Sequence, residues 1–395
     1  MALLDDSYAE YLEKDGTMIV QLDKALYGCI ESAALWYHDL VSKLSKLGFT
    51  ANPYDLCVFN KLEDDGWQTT IALHVDDMLV TSMKQAHIRA LNQQLQAAYG
   101  DTTFTEGDVL DYLGMTFDFT VAGEVSVTMD HAVSEILRDA GEDIKKRTTP
   151  ATDMLFVIRD DAQLSKESER VRFHSTTAKL LYVCKRVRPE CLTAVSFLTT
   201  RVHKCDTDDI AKLDRVLGYI LATKDRGVTL RIGEHMGVKA YIDAAYGVHT
   251  TTGRSHTGCC IVLGMEGRGP VESKSCKQKS VTKSSTEAEL MSLSDMAGEV
   301  MHLRNFIIHQ GYEVGHAILY QDNLSCMALM KKGGPTSERS RHILLRHFWL
   351  AERVGDKEVI IEHLSTADMI ANALTKPVQG SQFLKERAGL TNWRT

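Results

Sequence analysis

Apolar side chains recur at helical spacing over residues 32–47, at Leu35, Trp36, Leu40, Leu44 and Leu47, and Gly48 closes the run. Residues 67–82 read as two short strand-type runs around a tight Asp76-Asp77 turn, hence a hairpin. The pattern then predicts a helix over 84–99, strands over 112–119 and 124–129, and helices with apolar faces over 175–200 and 207–223. From residue 237 it becomes three strands, a long helix, a strand, a helix over 323–331, a strand over 358–362 and a helix over 366–374. Strands followed by alternating strand and helix predict a mixed sheet with helices packed on it.

Composition narrows this to an ordinary globular chain. It has 395 residues, 44% of them hydrophobic and 25% charged, enough for two or three domains. No apolar run is long enough to span a bilayer, and the acidic first 15 residues do not read as a secretory or mitochondrial leader. Nine irregularly spaced cysteines without a CxxC read as reduced thiols. The expected location is therefore intracellular, cytoplasmic or nuclear, and neither secreted nor at a membrane.

The net charge of −8 is unevenly spread. Residues 1–144 hold 8 Lys+Arg against 25 Asp+Glu, residues 145–236 hold 18 against 12, and residues 237–395 hold 19 against 16. Cations that neutralise phosphates carry most nucleic-acid affinity, so the last two segments suit that partner and the first does not. The basic, turn-prone Lys145–Pro150 stretch and the glycines around Gly233–Gly237 are the expected boundaries.

Candidate chemistry sits in the last third. Asp243 is expected to end a strand, Glu287 and Glu289 to open the long helix, Asp322 to end another strand and Asp368 to start the final helix. Carboxylates at strand ends and helix starts can converge at one sheet edge, where hard oxygen ligands hold Mg²⁺. Singly, each is equally a cap, a turn residue or a surface charge.

The strings YIDAAYG, RSHTGCCIVLG, SCKQKSVTKSSTEAELMSLSDMAGE, LYQDNLSCMAL, SERSRHILLRHFWL and HLSTADMIANALTKP make residues 237–378 resemble the ribonuclease H domain of copia-type LTR retrotransposons. Upstream, LDKALYGCIESAALWY and HVDDMLV resemble that family's reverse transcriptase around its catalytic hairpin. The segment from STTAKLLYVCKRVRPECLTAV to ATKDRGV resembles its connection region. The resemblance implies a Pol polyprotein fragment of mixed α/β and α+β class. Its expected parts are a truncated polymerase palm and thumb (1–144), a helical connection (145–236), a ribonuclease H-like mixed sheet with helices (237–378) and a C-terminal tail (379–395).

Carried over by position, the family's ribonuclease carboxylates fall on Asp243, Glu289 and Asp322, the implied ligands of two Mg²⁺ or Mn²⁺ ions. Glu289 is chosen over Glu287 because it directly precedes the apolar face Leu290, Met291, Leu293, whereas Glu287 suits a cap of the first turn. The fourth family carboxylate falls on the neutral Asn372. Asp368, four residues earlier on one helix face, is the expected substitute. Lys274, Lys277, Lys279 and Lys283 form one basic cluster, and Arg339, Arg341, His342 and Arg346 form another. Each suits the phosphates of an RNA–DNA hybrid, and equally a solvated face.

In the polymerase part the resemblance implies metal binding at Asp76 and Asp77. The family's third carboxylate and its fingers lie upstream of what corresponds to Val20. Ile30, Glu31 and Ala34 replace the family's lysine, glutamine and arginine, which removes cations where phosphates pass. The expectation is therefore metal-dependent cleavage of RNA in RNA–DNA hybrids, with polymerase activity lost and self-association through an exposed palm. The alternative is a catalytically impaired nucleic-acid-binding remnant.

Overall fold

Two helices and a meander build the N-terminal unit. Helix α1 (Ile30–Lys46) turns Leu40 and Leu44 inward, as its spacing predicts. It is followed by β1 (Thr50–Asn52), β2 (Asp55–Leu62), β3 (Gln68–His74), β4 (Asp77–Ser82) and α2 (Gln85–Tyr99). The strands form one antiparallel sheet in the order β1-β2-β3-β4. Strand β3 alternates strictly, with Thr69, Ile71 and Leu73 buried, which fixes one face to the core. Leu40, Leu44, Phe49, Phe59, Ile71, Leu73 and Leu91 fill that core. The computed structural model describes residues 6–21, 23, 25–26, 28–331 and 341–393. It parts into two compact units after Thr102.

The second unit opens with β5 (Val109–Tyr112), β6 (Met115–Asp118), β7 (Val125–Thr128) and α3 (Asp130–Ala140). Helices α4 (Glu167–Arg186), α5 (Leu192–Thr199) and α6 (Thr207–Ala222) and the short β8 (Val228–Leu230) follow. Strand β8 returns to pair with β7, Val127 opposite Val228, completing a four-stranded antiparallel sheet. That ladder joins residues 109–128 to residues 228–230, so the compact units do not part at residue 144 as the basic linker suggests. The continuous helix expected over 175–200 is broken. Pro189 lacks the N–H an α-helix interior needs, and the chain makes a 3₁₀ turn there. The turn is held by the fully buried Arg188, which donates to the Glu190 carboxylate at 2.9 Å.

The remainder is β9 (Val238–His249), β10 (Arg254–Leu263), β11 (Glu272–Lys277), α7 (Ser285–His309), β12 (Ala317–Gln321), α8 (Leu324–Lys331), α9 (Arg341–Gly355), β13 (Val359–His363) and α10 (Gly380–Thr391). The five strands run β11-β10-β9-β12-β13. The first three are mutually antiparallel, and β12 is parallel to both β9 and β13. This is the mixed sheet with helices that the strand–helix pattern predicts. Three details differ: α9 is an additional helix, residues 370–374 are a 3₁₀ turn rather than an α-helix, and the expected tail forms α10. Phe383 and Leu390 anchor α10 in the core shared with α4–α6.

Both faces of this sheet are covered, and adjacent residues serve opposite cores. Ala240, Ile242, Cys259 and Ile261 pack under α7, while Tyr241 and Cys260 face the core of α4–α6. No helix among the described residues is long and apolar enough to cross a membrane.

A buried polar chain ties the sheet to α5. His249 Nε2 lies 2.9 Å from His256 Nδ1, and His256 Nε2 lies 2.7 Å from Ser275 Oγ. Phe156 packs edge-on against His249, with ring centroids 5.2 Å apart. Burial holds the imidazoles at about 4 (His249) and about 3 (His256), below the usual 6.5. The unfolded chain therefore binds more protons than the folded one between these values and 6.5. The pair's contribution to stability is present at neutral pH and is lost as pH falls below about 6.5. In denaturant titrations at pH 7.5 and 5, wild type should lose about 2 kcal/mol more than His256→Gln does, at about 1.4 kcal/mol per pKa unit over the interval below 6.5. Equal losses would contradict the buried neutral pair.

Candidate metal centre

Three carboxylates separated by up to 79 residues in sequence meet beside β9. One oxygen each from Asp243, Glu289 and Asp322 lies within 4.8 Å of the others. The parallel register accounts for two of them. Tyr320 pairs with Tyr241, so Asp322, just past the end of β12, comes beside Asp243. Asp243 lies within the long β9 rather than at its end, opposite Gly258 on β10. Glu289 comes from the start of α7, whose N-cap is Ser284, with its hydroxyl accepting from the Glu287 N–H at 3.2 Å. Glu287 itself accepts from the Lys283 N–H at 2.7 Å, so it serves the helix end while Glu289 turns inward.

The electrostatics of Glu289 and Asp243 are strained. Burial, then the charges of Asp243 and Asp322, push the Glu289 carboxyl up to about 9. Burial also raises Asp243, against the opposing pull of Lys376 and Thr375. Without a cation, this cluster retains a proton at neutral pH. Four polar groups support it. Gln321 donates to Glu289 at 3.3 Å and accepts from the backbone N–H groups of Asp322 and Asn323 at 2.9 Å each. Thr366 donates to Asp322 at 2.8 Å, Thr375 donates to Asp243, and the Lys376 ammonium stands 3.7 Å from an Asp243 oxygen. None of these four was singled out by sequence reasoning, although Gln321, Thr375 and Lys376 lie inside the QDN and ALTKP strings.

Asp368 does not join the cluster. Residues 370–374 are 3₁₀, so the four-residue spacing to Asn372 does not stack the two on one helix face. Asp368 is exposed, accepts from Ser365 at 2.7 Å and pairs with Lys385 at 2.7 Å. Asn372 is buried and its amide donates to the Thr366 and Met369 carbonyls at 2.9 and 2.7 Å. A carboxylate at 372 would set oxygen against oxygen there.

Of the basic clusters, Lys277 ends β11 and Lys279 is exposed in the loop after it, while Lys274 is taken up by Glu299. Arg339, and the side chains of Arg341, His342 and Arg346, lie outside the described residues.

In the N-terminal unit Asp76 and Asp77 are exposed at the β3–β4 hairpin, and among the described residues no third carboxylate groups with them. The turn residues are Val75 and Asp76, not Asp76 and Asp77, because His74 pairs with Asp77. Val75 adopts φ +58°, a strained value for a β-branched residue. Its carbonyl is held by the Trp36 indole N–H at 2.8 Å.

Residues 9–153 match the family model described as reverse transcriptase (RNA-dependent DNA polymerase). The Pol polyprotein of transposon RE2 from Arabidopsis thaliana is 27% identical over 94% of this chain and 25% of its own length. That of transposon TNT 1-94 from Nicotiana tabacum is 24% identical over 94% of this chain and 28% of its own. The chain is of the retrotransposon Pol type. It spans about a quarter of the length of these curated relatives. The solved structure of RNase H1 from Halobacterium salinarum is 19% identical, with a TM-score of 0.25, over 35% of this chain and 94% of that one.

Within this Pol-type chain, Gly258 sets how closely the 370–375 turn approaches Asp243. A Cβ on Gly258 would come within 2.6 Å of Thr375 Cγ2, 2.8 Å of Leu374 Cβ and 3.0 Å of the Ala371 carbonyl. Gly258→Ala should therefore cost about 1–3 kcal/mol by overpacking and draw the Thr375 hydroxyl away from Asp243. Urea denaturation reads the first effect. An unchanged midpoint would mean the turn yields without cost.

Proposed function

We propose that Asp243, Glu289 and Asp322 hold Mg²⁺ or Mn²⁺, two ions in the working site, and that this centre cleaves the RNA strand of RNA–DNA hybrids. The observation that carries the reading is the convergence of three carboxylates, two of them buried and raised, with no guanidinium against them among the described residues. Such a donor set fits a hard divalent cation, which would displace the retained proton. Cations bound there would activate a water and stabilise the leaving oxygen of a phosphodiester. The chain's own groups do the positioning: Gln321 fixes one Glu289 oxygen, and Thr375 and Thr366 orient Asp243 and Asp322. Half-exposed Lys376 offers a cation to the substrate backbone. Lys277 and Lys279, with Arg339, Arg341, His342 and Arg346, extend that grip along the hybrid.

The proposal keeps the four-part division at residues 144, 236 and 378 as one of roles, while residues 103–395 pack as one compact unit. It places the chain in the cytoplasm or nucleus, a reading supported by nine unbridged cysteines. Exposed Ile30, Leu35, Leu56 and Leu62 are the proposed self-association surface of the first part.

The full chain should cut the RNA of a labelled hybrid only with Mg²⁺ or Mn²⁺, and Asp243→Asn should abolish cutting. Either ion should also raise the thermal midpoint of wild type more than that of Asp243→Asn, because a ligand stabilises the state that binds it. Equal cleavage and equal shifts in the two proteins would sink the assignment.

A second reading, a catalytically impaired nucleic-acid-binding protein, is favoured by Asn372 and by the diversion of Asp368 to Lys385. Ion-dependent stabilisation without cleavage would decide for it.

For the polymerase hairpin we propose no activity from this chain alone, since Asp76 and Asp77 lack a third carboxylate among the described residues. Primer-extension assays with Mg²⁺ and with Mn²⁺ should give no product; measurable extension would overturn this.

A further inference from the structure

One ammonium stands against the carboxylate cluster. Lys376 Nζ lies 3.7 Å from Asp243 Oδ2, the oxygen that already accepts from the Thr375 hydroxyl. Among the described residues no other ammonium or guanidinium pairs with Asp243, Glu289 or Asp322. Of the groups that favour a charged Asp243, Lys376 acts most strongly. The chain thus brings a cation of its own to a donor set that suits a divalent one.

That cation is anchored at its root and loose at its tip. The Lys376 N–H donates to the Asn372 carbonyl at 3.0 Å, and Pro377 restricts the backbone that follows. The turn before it is pressed against Gly258. The root therefore stays in place, while the four-carbon stem can pivot. Charge alone holds the tip, because 3.7 Å is too long for a charge-assisted hydrogen bond, which closes to about 2.7–2.9 Å. The Lys376 side chain is 46% exposed and that of Asp243 only 4%, so the ammonium has water to move into and the carboxylate does not. The Lys376 charge also acts on Glu386 of α10. That carboxyl is buried, one of its oxygens is taken by the Gln382 amide at 2.7 Å, and it makes no ion pair with Lys376.

An ammonium and a divalent cation repel each other at one carboxylate, and the mobile one yields. We propose that Lys376 holds the place of a divalent cation at Asp243 and gives it up. When Asp243, Glu289 and Asp322 take the ion, the ammonium leaves Asp243 and pairs with a phosphate of the hybrid. The inference rests on the metal reading above and adds a link between cation and substrate. Each binding event removes a competitor of the other, so the two are cooperative through one side chain. A lysine that only steadied the Asp243 carboxylate would act with the opposite sign, and its loss would weaken cation binding.

The test uses the full chain, and none of its readouts is cleavage. Mn²⁺ binding is followed by the electron-spin signal of the free ion. Lys376→Met should bind about tenfold tighter than wild type, on the order of the effect of one like charge a few Å from the ion. In protein labelled with ε-¹³C-lysine, the Lys376 resonance, assigned by its loss in Lys376→Arg, should shift when Mg²⁺ is added. Anisotropy of a fluorescein-labelled hybrid with 2′-O-methylated RNA, which resists cleavage, reads the coupling. Mg²⁺ should tighten that hybrid about tenfold more in wild type than in Lys376→Met. If wild type binds no Mn²⁺, the metal reading and this inference fall together. If it binds Mn²⁺ but Lys376→Met binds no tighter, the Lys376 resonance stays put, or the gains in hybrid binding are equal, the inference is overturned and the metal reading stands. The resonance is read in wild type, so it decides the matter even if Lys376→Met does not fold.

Discussion

The parallel pairing of β12 with β9 is the constraint on which the second unit's chemistry depends. Only in the register that sets Tyr320 opposite Tyr241 does Asp322 arrive beside Asp243. A slip of one residue would turn Leu319 out of its core and carry Asp322 to the other face. Because β9 is buried on both faces, the hydrophobic cost of such a slip falls on two cores at once. Burial that secures the register is also what raises Asp243 and Glu289, so the geometry and the electrostatics of the cluster have one origin.

A second constraint is the close approach of the 370–375 turn to the sheet. It depends on the missing side chain at Gly258 and on Pro189, which ends α4 and lets α5 turn back. The Thr193 hydroxyl on α5 then donates to the Ala373 carbonyl. The connection-like helices therefore help to seat the turn that carries Thr375 and Lys376. That interlock, with the β7–β8 ladder, is why residues 103–395 form one compact unit.

Charge is distributed with the same economy. The carboxylate cluster collects anions where a divalent cation suits them. Lys376 and Thr375 offset the charge of Asp243 only in part, as expected of a site shaped for something outside the chain.

Much of this was legible in the sequence. Period-3.6 faces located α1, α2 and α6. Strand-type runs located the β3–β4 hairpin, where β3 buries one regular stripe, and the mixed sheet, whose central strands are buried on both faces. The choice of Glu289 over Glu287 also followed from a local pattern, the apolar face that begins at Leu290. Local pattern could not decide the rest. Asp368 is no partner of the cluster because the chain there is 3₁₀ and Lys385, from α10, claims it. The roles of Gln321, Gly258 and Thr375 depend on which segments touch. Hydrophobic periodicity reports which way a side chain faces, and only the packed chain decides what stands opposite it.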